Sequence, residues 1–294
     1  MTNKPLRVLS LFDGISCGQI ALARAGIKVD QYFASEIDKH AIQVTQKNYP
    51  KTIQVGDVTK LRGADLPKIF LLIGGSPCQG FSFAGKQLNF EDSRSKLFFE
   101  FVRLLEETKA KYFLLENVKM KKESQDVISK CLGVEPIVIN SNLVSAQNRV
   151  RYYWTNIPNV TAPEDKNIFL KDILKDGSDT VGAIRGRYLA DKITTEQYLE
   201  IRAGGKSNCL TTVQKDNVVI LNKNTVLQGR DRIEWKNVKK DQVRKLTALE
   251  YERLQTVDDN YTEGLPNSYR YKILGNAWTV DLIVHIFKGL IKYF

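Results

Sequence analysis

A cysteine behind a glycine-rich turn, a glutamate beyond it and two spaced arginines are the residues here with the clearest capacity for chemistry. Cys78 closes the stretch Ile73-Gly74-Gly75-Ser76-Pro77-Cys78. Proline fixes its own φ and restricts its predecessor, so the backbone aims the thiol. Glu116 opens Glu116-Asn117-Val118, and Ser145-Ala146-Gln147-Asn148-Arg149-Val150-Arg151 sets two basic side chains two residues apart. A thiolate is a nucleophile, and a buried glutamate can donate a proton to a ring nitrogen. Arginines can lower a thiol's pKa from about 8.5 and hold a carbonyl oxygen. A cysteine protease needs a base for its thiol, and the only histidines, His40 and His285, fall in segments that read as helices. Taken alone, Cys78 is a nucleophile or a small packed apolar residue, and the arginines are site groups or surface ion pairs.

The elements that must position these groups alternate. Strands are predicted over 7–12, 31–37, 52–55, 69–73, 112–115 and 136–139, and helices over 15–25, 38–48, 97–108 and 124–132. That βαβα rhythm predicts an α/β fold, a Rossmann-like and mostly parallel sheet with helices on both faces, whose ligands bind at the carboxyl ends of the strands. After Trp154 the rhythm is lost. Residues 156–246 mix short strands, turns and charged stretches, with eight Lys or Arg against three Asp or Glu over 223–246. A helix around Ala248, Leu249 and Leu254 follows, and 279–294 carries an apolar stripe spaced for a core-facing helix. The division expected is a catalytic domain of 1–156 and 262–294 and a smaller, irregular domain of 157–261.

Three strand ends describe a nucleoside pocket. The first runs into Phe12-Asp13-Gly14-Ile15-Ser16-Cys17-Gly18 and opens a helix, the second ends at Glu36, and the third at Gly56-Asp57-Val58. A glycine turn lets a ligand approach the amides, and an acid about 20 residues on can bond a ribose diol. The turn is Gly-x-x-x-Gly, and no Lys-Ser/Thr follows. That favours a single-nucleoside cofactor over a dinucleotide or triphosphate, and an adenosine carrying a sulfonium fits, with Asp13 or another acid near the cation.

Bulk properties narrow the partners. A chain of 294 residues with 43% hydrophobic and 26% charged residues reads as a soluble globular protein. No apolar run reaches about 18 residues, so no membrane partner is expected, and no export signal is read at 1–6. Cys17, Cys78, Cys131 and Cys209 are scattered, which fits a reducing interior and no metal site. A net charge of +11 points to a polyanionic partner.

The ordered set Phe12-Asp13-Gly14…Gly18, Glu36, Gly56-Asp57-Val58, Ser76-Pro77-Cys78-Gln79, Glu116-Asn117-Val118, Gln147-x-Arg149-x-Arg151 and Gly275-Asn276-Ala277 resembles the DNA cytosine-5-methyltransferase family over almost the whole chain. Several stretches, among them Leu11-Phe12-Asp13-Gly14-Ile15, Tyr32-Phe33-Ala34-Ser35-Glu36 and Trp278-Thr279-Val280, are similar to the catalytic domain of animal de novo enzymes. The long regulatory regions are missing, so a stand-alone prokaryotic or phage-type enzyme is expected. The resemblance implies that Cys78 adds to carbon 6 of a flipped cytosine, that Glu116 serves ring N3, and that Arg149 and Arg151 hold O2 and the loop around the thiol. It implies S-adenosylmethionine as cofactor and S-adenosylhomocysteine as product, contacted by Phe12, Asp13, Gly14, Ile15, Glu36, Ile37, Asp57, Val58, Leu97, Asn276 and Trp278, and no metal. Double-stranded DNA is the implied partner, met by Gln79, Ser82, Thr211 and Thr212 over a short target. Arg185, Arg187, Arg230 and Arg232 are further candidates for phosphate or guanine contacts. A cognate restriction endonuclease, a monomeric state and a prokaryotic cytoplasmic or nucleoid location (a host cell if phage-encoded) complete the expectation.

Two other readings share these motifs. A tRNA-methylating relative carries Cys-Phe-Thr in its variable region, whereas here Cys209 precedes Leu210-Thr211. A catalytically dead DNA-binding homologue is opposed by the intact Cys78, Glu116 and Gln147-x-Arg149-x-Arg151.

Overall fold

The computed structural model describes residues 6–77, 96–189, 194–202, 204–212, 217–221 and 232–293. The chain forms two compact units, Met1–Asn140 with Val150–Pro163 and Val280–Phe294, and Ser141–Arg149 with Glu164–Thr279.

In the first unit, seven strands make one sheet: β1 (Arg7–Leu11), β2 (Gln31–Ser35), β3 (Ile53–Gln54), β4 (Leu71–Gly74), β5 (Tyr112–Val118), β6 (Ile137–Asn140) and β7 (Val150–Thr155), in the order β3-β2-β1-β4-β5-β7-β6. The pairs from β3 across to β5 are parallel, and β7 runs antiparallel to both neighbours. β4 is buried along its whole length and β1 and β2 along four residues in five, the unbroken apolar pattern of strands covered on both faces. The covering helices are α1 (Cys17–Arg24), α2 (Lys39–Asn48), α3 (Leu97–Thr108) and α4 (Lys122–Leu132). Phe98, Phe101 and Leu104 put one stripe of α3 into a core shared with Leu9, Leu72, Phe113 and Trp154. The Trp154 indole N–H donates to Ser129 Oγ at 3.0 Å, satisfying its polar handle inside that core. The Asp38 carboxylate accepts from the His40 amide at 2.9 Å and starts α2.

The sheet fixes where chemistry can occur. Chain order reverses at β1, which has β2 on one side and β4 on the other. In an open α/β sheet the crevice outside the carboxyl ends at such a switch is where ligands bind. Leu11 pairs with Ser35 and with Gly74, and Gly74 pairs with Leu115. One row across the sheet therefore sends Phe12, Glu36, Gly75 and Glu116 out at the same edge.

The second unit holds a five-stranded antiparallel sheet of β8 (Val181–Tyr188), β9 (Thr195–Arg202), β10 (Val218–Ile220), β11 (Arg232–Glu234) and β12 (Val243–Lys245), ordered β11-β9-β8-β10-β12. Ile184, Leu199, Val218 and Ile220 form its core. The irregular domain expected for this region thus contains a regular sheet, two strands of eight residues flanked by three of three residues. The unit also contains α5 (Leu170–Ile173), α6 (Ala248–Leu254) and α7 (Asn267–Asn276), while α8 (Val280–Phe287) packs on α1 in the first unit.

The units divide the chain differently from the expected boundaries at 156/157 and 261/262. Residues 141–149 and 262–279 belong with the second unit, because Gln147 bonds Leu254, Gln255 and Leu210, and Arg149 bonds Leu210, Gly275 and Ala277. Residues 157–163 stay with the first, where His285 Nε2 lies 2.9 Å from the Thr161 carbonyl. β5 also runs three residues beyond its expected end, since β7 pairs with it as far as Val118 opposite Arg151.

Candidate active site

At the end of β1 the backbone turns through the left-handed region three times, at Phe12 (φ 55°), Gly14 (φ 58°) and Ser16 (φ 59°). Only glycine takes such an angle without steric cost, and nothing lies within 4 Å of where a Gly14 Cβ would stand. At Gly14 the turn therefore borders open space, while its amides are held by Glu36 and by backbone carbonyls. The Gly14 amide donates to Glu36 Oε2 at 2.8 Å, and Glu36 Oε1 accepts from the Ile37 and Asp38 amides at 2.8 and 2.9 Å. Three of a carboxylate's roughly four acceptor positions are thus taken by backbone, leaving one directed elsewhere. Beside it Ile37 is 76% exposed, an apolar surface at a strand end.

Asp13, one of the acids expected near the cation, has its carboxylate engaged within the turn. Its carboxylate accepts from the buried Ser16 hydroxyl and, at 2.8 Å, from the buried Tyr32 hydroxyl, so it serves the turn from within. Burial pushes its pKa from 3.8 up to about 6, against the hydrogen bonds from Ser16, Ser10 and Tyr32 and with the help of the Glu36 charge. Burial also raises the Tyr32 phenol well above its usual range. Gln19 continues this network, donating to Ser16 Oγ at 3.1 Å and Thr52 Oγ1 at 2.7 Å. At the end of β3, Asp57 Oδ1 accepts from the Thr59 amide and hydroxyl at 2.9 and 2.8 Å, which lowers its pKa. Val58 is buried, and its carbonyl accepts from Arg103 of α3 at 3.1 Å. Leu97 begins that helix.

Glu116 and Arg151 meet in the first unit, Oε1 to Nε 3.0 Å, with side chains 11% and 12% exposed. Next to Glu116, Asn117 is buried and donates to Ser76 Oγ at 3.1 Å and to the Ser76 carbonyl at 3.4 Å. β5 therefore grips the residue that precedes Pro77-Cys78. Cys78, Gln79 and Ser82 lie outside the described residues, as does Arg230.

Arg149 does not share the Glu116 pair. β7 starts at Val150, so the two arginines do not lie on one face of a strand as the alternation predicts. Arg149 is buried in the second unit, donating to the carbonyls of Leu210, Gly275 and Ala277. Thr211 is half-buried and Thr212 exposed. The peptide joining them is seated on α7, where a Cβ on Gly275 would come within 2.6 Å of the Thr211 carbonyl. Asn276 ends α7 and Trp278 follows it. Of the other candidate arginines, Arg187 is paired with Glu200, and Arg232 lies over the Tyr198 ring, 5.2 Å from its centroid. Gln255, at the end of the stretch Arg253-Leu254-Gln255, is fully buried and bonds Gln147, Leu274, Ala277 and Thr279.

The model of the C-5 cytosine-specific DNA methylase family matches residues 6–292. A type II methyltransferase of Neisseria gonorrhoeae, M.NgoBV, is 33% identical over 233 residues, which is 69% of this chain and 55% of that protein. The match thus spans little more than half of the gonococcal protein's length. M1.ScrFI, a type II methyltransferase of Lactococcus lactis subsp. cremoris, is 30% identical over 97% of this chain and 78% of its own. A solved DNMT2 variant of Spodoptera frugiperda has the same fold, with a TM-score of 0.71 at 19% identity over 97% of this chain and 99% of that one. With Phe12, Glu36 and Glu116 at one edge of the first unit's sheet and the family model matched over residues 6–292, the chain belongs to the C-5 cytosine-specific DNA methylases.

Proposed function

We propose that this protein transfers a methyl group from S-adenosylmethionine to carbon 5 of cytosine in a short double-stranded DNA sequence, through a covalent bond to Cys78. The observation that carries the reading is β5 itself, which presents the Glu116–Arg151 pair and, one residue on, the Asn117 grip on Ser76. An acid for a ring nitrogen and the approach to a nucleophile are thereby held by one strand end, on the same carboxyl edge of the sheet as the ends of β1 and β4.

The first unit suits the cofactor. The open space at Gly14, the remaining acceptor position of Glu36 and the exposed Ile37 fit a nucleoside with a ribose diol and an apolar base face. Asp57, Val58 and Leu97, with Asn276 and Trp278 by motif, are further contacts, and Asp13 shapes the turn from behind. When bound, S-adenosylmethionine supplies an electrophilic methyl.

A base within a duplex is hidden by stacking and must be flipped out first. The Cys78 thiolate bonds carbon 6, and the electron pair of the 5,6 double bond moves to carbon 5. Glu116 supplies a proton or hydrogen bond at N3, and Arg151 holds that carboxyl in place. Once carbon 5 is alkylated, its proton passes to water, any proton placed on N3 returns to Glu116, and the electron pair re-forms the 5,6 double bond as the thiolate leaves, so Cys78 and Glu116 end as they began. Thr211, Thr212, Gln79 and Ser82 are proposed DNA contacts.

The type II names of the relatives support DNA over tRNA as substrate and make a cognate restriction endonuclease the expected partner. Among the described residues no helix is long and apolar enough to cross a membrane, and a cytoplasmic monomer remains the working proposal. Incubation with labelled S-adenosylmethionine and either duplex DNA or tRNA tests the reading. Label in DNA is expected, and label in tRNA alone contradicts it.

A further inference from the structure

The buried side chains of the Gln147-x-Arg149 motif hold backbone from several distant segments. Arg149 is 3% exposed. Its Nη1 donates to the Leu210 carbonyl at 3.1 Å, to the Gly275 carbonyl at 3.4 Å and to Cys209 Sγ at 3.3 Å. Its Nη2 donates to the Ala277 carbonyl at 2.9 Å and again to Gly275 at 3.5 Å. Leu210 is held at its other backbone group too, its amide donating to Gln147 Oε1 at 2.9 Å. Gln255 completes the junction, donating to the Leu274 and Ala277 carbonyls at 2.7 and 3.0 Å while accepting from Gln147 and Thr279 at 3.1 Å each. The Thr211–Thr212 peptide lies directly on Gly275, where a Cβ would come within 2.6 to 2.8 Å of its backbone atoms.

We propose that Arg149 is a positioning residue that couples segment 210–212 to segment 275–278, so that DNA and cofactor raise each other's affinity through one guanidinium. This rests on the functional reading above, in which Thr211 and Thr212 meet DNA and Asn276 and Trp278 meet the cofactor. The physical reason is the rigid planar fork, which fixes several carbonyls relative to one another where a lysine would offer a flexible point charge. Displacing either segment breaks charge-assisted bonds inside a buried region, a costly change, so the two segments shift together. A coupling of this kind is reciprocal by linkage.

S-adenosylhomocysteine is titrated calorimetrically into the protein alone and into the protein saturated with mixed-sequence unmethylated duplex DNA. The ratio of the two affinities is the coupling factor. The wild type is expected to fall within the roughly 5- to 150-fold range of such couplings, and Arg149→Lys to bring the factor close to one. Gly275→Ala, which pushes on the same peptide while leaving the guanidinium in place, is expected to lower it as well. Hydrogen exchange on the unaltered protein gives a readout that needs no variant. S-adenosylhomocysteine without DNA should slow amide exchange across 208–212. Factors unchanged in both variants, or exchange across 208–212 indifferent to S-adenosylhomocysteine, would overturn the coupling alone. A wild type that binds no S-adenosylhomocysteine would overturn the functional reading and the coupling with it.

Discussion

Arg151 and Glu116 face each other diagonally across the antiparallel β5–β7 pair, Nε to Oε1 3.0 Å, each retaining about a tenth of its side-chain exposure. The pairing sets Arg151 opposite Val118, two residues from Glu116 on the same face of the sheet. Truncating Arg151 to Ala leaves a buried carboxylate without this partner. With the acid misplaced, kcat is expected to fall about 10²- to 10⁴-fold, the usual worth of a positioned general acid. Glu116→Gln keeps the shape and removes the carboxyl group, and a loss of similar size is expected. Single-turnover methylation of duplex DNA measures both, and near-wild-type rates in either variant would remove the pair from the chemistry.

Asn117 and Ser76 form the second relationship at this edge. Asn117 also accepts from the Val118 amide at 2.8 Å, so its amide plane is fixed while it grips Ser76. Asn117→Ala strands buried polar groups at a cost of about 1–3 kcal/mol, and it releases Ser76, two residues before Cys78. Ser76→Ala keeps the bond to the Ser76 carbonyl and should be milder. Comparing thermal midpoints with methylation rates checks this. Asn117→Ala should lower the rate even at temperatures where it is fully folded.

How much of this was legible in the sequence follows from distance along the chain. The alternating apolar runs gave β1, β2, β4 and the α3 helix of Leu97–Thr108 because their signals are local. The motif residues at strand ends were legible for the same reason. The surroundings of the Asp13 carboxylate were not legible, because its partner Tyr32 sits on the neighbouring strand, 19 residues away, and local spacing does not say which way a carboxylate faces. Arg149 was assigned with Arg151 because they alternate in sequence. Its partners at 210, 275 and 277 become neighbours only on folding. Short strands were expected between 156 and 246, but their assembly into one sheet was not legible: β10, β11 and β12 have three residues each, too few for a period-two pattern, and the eight-residue β8 and β9 both carry charged residues.

Asp13 makes a pH prediction. Its pKa is raised from 3.8 to about 6, chiefly by burial, so the folded state keeps a proton there that the unfolded chain has released. The stabilising contribution is fully present below about pH 4 and is lost as pH rises through about 6. A shift of this size corresponds to about 3 kcal/mol. Asp13→Asn should remove that slope, so wild type minus variant stability should fall between pH 4 and 7 in urea titrations. Parallel curves would show that the Ser16 and Tyr32 hydrogen bonds offset burial.

In the second unit, Arg244 is bidentate to Glu250, both bonds 2.8 Å, and bonds Asp176 at 2.8 Å. Glu250 is fully buried and also accepts the Thr247 amide that starts α6. Burial opposes its charge, but the bonds from Arg244 and the backbone prevail and lower its pKa. Arg244→Leu should cost about 3–5 kcal/mol by stranding that carboxylate. The double replacement with Glu250→Leu should recover part of the loss in thermal unfolding.

The central claim is that Cys78 bonds a cytosine of DNA so that carbon 5 becomes methylated. Nucleoside mass spectrometry of unmethylated, mixed-sequence duplex DNA after incubation with the protein and isotope-labelled S-adenosylmethionine tests it most directly. Labelled 5-methyldeoxycytidine is expected with the wild type and none with Cys78→Ser. Label on an exocyclic amine, or 5-methyldeoxycytidine formed by Cys78→Ser at the wild-type level, would contradict it.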